Sequence, residues 1–149
     1  MNRPMPHVFG HHTAIDNIEA VQRKFTKRLK GCKDMEYPAQ LSYLHLQSLE
    51  RRRLTADLIL TYIIIFGLVD VCMSDYFQLM SSNGDRTVTH GNPLKLSVNY
   101  CRTNTRKNFF SERVVKVWNS LPPSIENFAS LARFRNSLNK INLRIYTKY

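Results

Sequence analysis

Acidic residues are scarce in this chain: 11 Asp and Glu stand against 22 Lys and Arg among 149 residues, a formal net charge of +11 before any histidine is counted. A surface so unbalanced favours polyanions or anionic membranes as partners. Long apolar runs are missing as well. The most apolar stretch, Leu58 to Val69, holds Thr61, Tyr62 and Gly67 and is bracketed by Asp57 and Asp70, whereas a bilayer span needs ~20 apolar residues. It reads as a buried helix, and no membrane partner is expected. Cysteine is limited to Cys32, Cys72 and Cys101, an odd number with spacings of 40 and 29 residues, which excludes a paired disulfide framework and a C-x-x-C metal knuckle and fits a reducing compartment. Met1 to His7 holds one Arg and leads into no apolar stretch, so no secretory signal is expected and the chain is placed inside the cell, in cytoplasm or nucleus. No internal repeat of fixed period is present.

What remains is ordinary for a folded protein. With 43% apolar and 22% charged residues, the composition is that of a globular chain, and the length suits one domain or part of a larger one. The expected fold is mainly α, with about five helices and one long polar loop. From Thr13 to Leu29, Ile15, Ile18, Val21, Phe25 and Leu29 recur at helical spacing, Thr13 is a candidate N-cap and Gly31 ends the run. Tyr37-Pro38 opens a short second helix with Leu41, Leu44 and Leu46 on its apolar side. Ser48 opens a longer third helix whose stripe is Leu49, Leu54, Leu58, Tyr62, Ile65 and Phe66, the best candidate for the central core helix. Residues 81–93 are turn formers and form the loop, and Leu94 to Val98 alternates as a short strand or extended segment would. A fourth helix from Ser111 turns Val114, Val115, Val117 and Trp118 inward and stops at Pro122-Pro123. A last one starts near Ala129 with Leu131, Phe134, Leu138 and Ile141. Residues 13–141 are thus expected as one helical domain, between a poorly ordered segment 1–12 and a loose tail 142–149.

Two groups of cations are candidates for nucleic-acid contact. Arg23, Lys24, Lys27, Arg28 and Lys30 crowd one helix end, with Lys33 just beyond, and Arg102, Arg106, Lys107, Arg113 and Lys116 surround Phe109 and Phe110. Arginine and lysine beside aromatic rings suit surfaces that pair phosphate contacts with base stacking. Against this, cations at a helix C-terminus also oppose its dipole, and the aromatic rings could be core anchors. Trp118, among its valines, is read as core. Of Arg51, Arg52 and Arg53, which point three ways around a helix, at least one is expected to pair with Glu50 or Asp57. His11-His12 lack a nearby third ligand, so no zinc site is expected, and no nucleophile and base stand at readable spacing.

Three ordered segments resemble a known family. Ile18-Glu19-Ala20-Val21-Gln22-Arg23-Lys24-Phe25-Thr26-Lys27-Arg28-Leu29 is similar to I-E-x-V-Q-R-R-F-T-K-R-L, and Leu49 to Arg53 with Asp57, Leu58, Tyr62 and Gly67 resembles L-E-x-R-R-x-x-x-D-L-x-x-x-Y-x-x-x-x-G. Most specifically, Cys101 to Pro122 is similar to R-T-x-x-R-x-x-F-F-S-x-R-V-V-x-x-W-N-x-L-P. All three belong to the region after the palm, the thumb and C-terminal extension, of jockey-like and CR1-like non-LTR retrotransposon reverse transcriptases. The resemblance covers roughly residues 8 to 140. Val8-Phe9-Gly10-His11-His12 reads as a degraded V-W-x-P-H, and residues 1–7 match nothing in the family.

The resemblance implies RNA-directed DNA polymerase ancestry, but not the chemistry. That reaction needs palm aspartates to hold Mg²⁺, and this chain has no Asp-Asp pair; Ala56-Asp57-Leu58 is the nearest string and reads as an ordinary helix segment near Arg53. The chain is therefore expected to be a non-catalytic remnant, without cofactor, that binds RNA or DNA weakly and without sequence preference. The alternatives are a helical module that self-associates or docks on another protein, or a decayed reading frame.

Overall fold

A computed structural model describes residues 9–80, 94–122 and 128–148, with side chains from residue 15 onward. The expected polar loop 81–93, the side chains of His11 and His12 and most of the segment 1–12 lie outside these. The described chain is mainly helical: α1 Phe9–Thr26, α2 Tyr37–Tyr43, α3 Leu49–Ile65, the single turn α4 Asn104–Lys107, α5 Phe110–Ser120 and α6 Leu131–Lys140. It divides into two compact units, residues 1–52 with 148–149, and residues 53–147. The boundary between the units falls inside α3.

The first unit is built around polar groups. Glu19 is 0% exposed and its carboxylate accepts from the Tyr37 hydroxyl at 2.6 Å and from the backbone N–H groups of Leu49 (3.1 Å) and Glu50 (3.4 Å). A carboxylate withdrawn from water survives only when so bonded, and here it sits on the free N–H groups that open α3. Ser48 takes a further one, accepting from the N–H of Arg51 at 3.2 Å. Thr26, also buried, donates to Gln40 Oε1 (2.7 Å), whose amide nitrogen donates to the carbonyls of Cys32 (3.0 Å) and Met35 (2.8 Å). Among the described residues of this unit, Cys32, Tyr37 and Leu41 are the fully buried apolar ones.

α1 carries much of its apolar stripe outward. Ile18, Val21 and Phe25 are 55%, 69% and 63% exposed, so the middle of the apolar stripe faces solvent, with Ile15 and Leu29 half-buried at its ends, while Glu19 and Thr26 face inward. Hydrogen bonds from Tyr37, Gln40 and the start of α3 hold this polar side inward. The helix ends differ from those expected. α1 begins at Phe9, which leaves Thr13 inside it, and closes at Thr26, after which Arg28 N–H to Phe25 O (3.0 Å) and Leu29 N–H to Thr26 O (3.1 Å) tighten the chain into turns ahead of Gly31 at φ 85°.

Short helices end here by local bonding. Pro38 opens α2 as expected; at its far end Leu46 N–H reaches Leu41 O at 2.8 Å, His45 N–H reaches Ser42 O at 3.2 Å, and His45 takes φ 53°. That is a Schellman closure with histidine where glycine is usual. Gly67, φ 62°, fills the same place after α3.

The second unit carries the apolar core. Leu58, Tyr62 and Ile64 of α3, Val114, Val115, Val117 and Trp118 of α5, and Phe134 and Leu138 of α6 are buried together with Phe77, Leu96, Leu121, Phe128 and Leu143. Rings organise it: Tyr62 stacks on Phe134 with centroids 4.8 Å apart, Trp118 meets Phe128 edge-on at 5.5 Å, and the Tyr62 hydroxyl donates to Phe128 O at 2.9 Å. Trp118 is 0% exposed, a core residue as expected. Phe66, expected in the buried stripe, falls just past the end of α3 and stands exposed, as does Leu60 on α3. The alternating segment forms no strand among the described residues. One antiparallel bridge joins Leu79 to Leu96, and Asn119 pins the same segment by accepting from Leu96 N–H and donating to Leu96 O, both at 2.8 Å. Nor is the tail loose. Leu143 is buried in a 3-10 turn Leu143–Tyr146, the Tyr146 hydroxyl donates to Ser120 Oγ at 2.5 Å, and in the first unit Lys148 bonds Asp16 at 2.7 Å.

Candidate nucleic-acid interface

The residues 98–116 of the second unit enclose an open cavity of about 430 Å³ lined by Val98, Asn99, Tyr100, Cys101, Arg102, Lys107, Glu112, Arg113 and Lys116. Its construction starts at Thr103, whose hydroxyl accepts from Arg106 N–H at 3.2 Å and caps the single turn α4. That turn presents Arg106 and Lys107 beside α5, whose first two turns supply Glu112, Arg113 and Lys116. Arg102, Lys107 and Lys116 are exposed. Three of the five expected cations of this group therefore converge on one cleft with their charges in solvent.

The other two are engaged. Arg113 spends Nε and Nη2 on the two oxygens of Asp57, each at 2.8 Å, and Nη1 on Asn108 O at 2.8 Å. It is a framework residue rather than a free phosphate ligand, and Asp57, one turn from Arg53 on α3 as expected, is also clamped by α5. Arg106 reaches Glu112 at 3.2 Å while its guanidinium lies 5.7 Å from the Phe109 ring centroid. Glu112, its side chain only 6% exposed, is thereby partly neutralised within the cleft, and Asn99 also donates to it at 3.4 Å.

The two phenylalanines separate. Phe110 packs against the core and meets Phe77 edge-on at 5.7 Å, whereas Phe109 is 52% exposed beneath Arg106. Tyr100, which sequence reasoning passed over, is 91% exposed on the cleft lining. A signal was present: an aromatic residue between Asn99 and Cys101-Arg102, in a polar stretch, belongs to no apolar periodicity. Cys101 lies half-buried in the same lining, and burial, then the adjacent Glu112, raises its thiol above the ordinary cysteine range.

In the first unit Lys24, Lys27, Arg28 and Lys30 are all exposed. Only Arg23 and Lys24 lie on α1; the others occupy the turns that follow it. Arg23 is half-buried, its guanidinium 5.0 Å from the Tyr37 ring centroid, which ties it to the packing of α2.

Among the described residues no three His, Cys, Asp or Glu side chains come together to hold a metal, and no helix is long and apolar enough to cross a membrane. Comparison with protein-family models, with curated proteins and with solved structures returns no match to this chain.

Proposed function

We propose that this protein is a non-catalytic nucleic-acid-binding module that grips the backbone of RNA or DNA without reading sequence, as the resemblance to the post-palm region of non-LTR retrotransposon reverse transcriptases implies. The observation that carries the reading is the cleft at 98–116, where Arg102, Lys107 and Lys116 surround one cavity in a chain of net charge +11. Lysine and arginine contacts to phosphate bind every sequence alike and release counterions, so affinity falls steeply with salt. Lys24, Lys27, Arg28 and Lys30 offer a second set of exposed cations in the first unit. Charge reversal tests each set separately. Arg102→Glu with Lys107→Glu and Lys116→Glu, and independently Lys24→Glu with Lys27→Glu and Arg28→Glu, should weaken binding of all sequences equally; unchanged affinity in both removes the assignment.

A second reading, docking of a protein partner, is favoured by the outward apolar side of α1. Ile18, Val21 and Phe25 form a strip bordered by exposed Lys24. The occupant this suits is an amphipathic helix with an acidic border, since a second copy would bring like charge to like charge. Light scattering on the purified chain decides between these occupants: a monomer at all concentrations fits the acidic partner, and a dimer contradicts it.

A further inference from the structure

We infer that the 98–116 cleft selects an unpaired strand, seating one base on Tyr100 in its lining and a neighbouring base on Phe109 outside it, beside Arg106, while the rim cations hold the phosphates. This rests on the nucleic-acid reading and names its substrate class. A surface built only to hold a duplex needs cations along the backbone and gains nothing from bare rings, because paired bases are stacked on one another and closed off. Here two rings flank a run of cations along the chain: Tyr100, then Arg102, Arg106 and Lys107, then Phe109, with Lys116 beyond. Tyr100 stands 91% in solvent and Phe109 52%, while the neighbouring Phe110 is used in the core. Leaving large rings in water forfeits their burial, and stacking on a base restores it for any base identity.

Three features prepare the cleft for that use. Arg106 lies 5.7 Å from the Phe109 centroid and 3.2 Å from Glu112, so the ring is tied to the cavity lining through one guanidinium. Arg113, locked to Asp57 by two 2.8 Å bonds, holds the α5 side of the cleft to α3. Glu112 is recessed, with its side chain 6% exposed. A carboxylate there repels phosphates toward the rim, where Arg102, Lys107 and Lys116 stand, and leaves with Asn99 a polar edge that can bond the amino and carbonyl groups of an inserted base. The cavity, about 430 Å³, falls in the ~300–1,000 Å³ range of small-ligand sites and has room for a base and its sugar.

The test uses the full chain and three labelled probes of equal length: oligo-rU, oligo-dT and a mixed-sequence RNA–DNA hybrid duplex, followed by fluorescence anisotropy. Both single strands should bind more tightly than the duplex, and their ratio identifies which strand is the better ligand. Tyr100→Leu and Phe109→Leu should each weaken single-strand binding about five- to tenfold, and leave duplex affinity within about twofold; Tyr100→Phe and Phe109→Tyr should restore it. Both positions are exposed, and circular dichroism confirms that the variants stay helical. Equal losses on duplex and single strand, or no loss on either, overturn the inference while the backbone-binding reading stands. Failure of all three probes to bind the unaltered chain overturns both.

Discussion

Arg113 closes two arms of its guanidinium on Asp57, 56 positions away in the chain, with Nε to Oδ2 and Nη2 to Oδ1 both at 2.8 Å. Planar bidentate geometry of this kind is the strongest pairing open to arginine. It joins α3 to α5 and fixes the side of the cleft on which Lys116 rides. Removing one partner leaves the other charge short of water and bonds. Asp57→Ala should therefore cost about 2–3 kcal/mol in urea unfolding, below the ~3–5 of a fully buried pair because Arg113 keeps some solvent. Asp57→Ala with Arg113→Met should recover much of that loss in a double-mutant cycle. Additive losses would show that the pair is not coupled.

Glu19 performs the analogous task in the first unit. Glu19→Ala strips the acceptor from Tyr37 and from the first N–H groups of α3, so a loss of about 2–3 kcal/mol is expected. Glu19→Gln keeps one acceptor oxygen and should lose less. Thermal melts of the two variants check the order, and a harmless Glu19→Ala would mean that the buried carboxylate does not organise this unit.

Substitutions on α1 discriminate between its two sides. Phe25→Ser and Val21→Ser should each shift stability by no more than ~0.5 kcal/mol, as surface changes do. Trp118→Ala, in the α5 core, should cost about 3–5 kcal/mol. Chemical denaturation compares them directly, and a core-sized loss at Phe25 would mean that the strip is covered.

Much of the architecture was legible in the residues. α2, α3, α5 and α6 fall where Pro38, Ser48, the valine and tryptophan spacing and the Leu131-Phe134-Leu138 stripe place them. α1 was legible as a helix but not as to its covered face, because periodicity reports that apolar residues share a side and is silent on which side is covered. What buries the polar side is a set of partners distant in sequence: Tyr37 with Glu19, Gln40 with Thr26, the start of α3 with Glu19. The cleft was legible as a cluster of cations, but not as a cavity. Which cations stay free depended on Asp57, found 56 positions from Arg113, and on Glu112 beneath Arg106. Tyr100 was invisible to a search for periodic apolar residues because it belongs to none.

Cys101 reports on the cleft chemically. Its thiol is raised by burial and then by Glu112, so at pH 8 less of it is the reactive thiolate than in an unstructured peptide. Alkylation by iodoacetamide should be slow at Cys101, and Glu112→Gln should speed it by lowering the thiol toward its ordinary value. Mass spectrometry of the modified peptide reads both rates. An unchanged rate in Glu112→Gln would place the carboxylate outside the thiol's surroundings. Bound oligo-rU should also protect Cys101 if the cleft is the site.

The most direct measurement is a salt titration of the unaltered chain against a hybrid RNA–DNA duplex by fluorescence anisotropy. Binding in the micromolar range is expected, with log affinity falling linearly in log salt at ~0.9 per phosphate neutralised on duplex DNA, and with the slope reduced when Arg102, Lys107 and Lys116 are reversed. A folded, helical chain that binds neither this duplex nor the single strands, or that binds with an affinity indifferent to salt, would contradict backbone recognition by these cations.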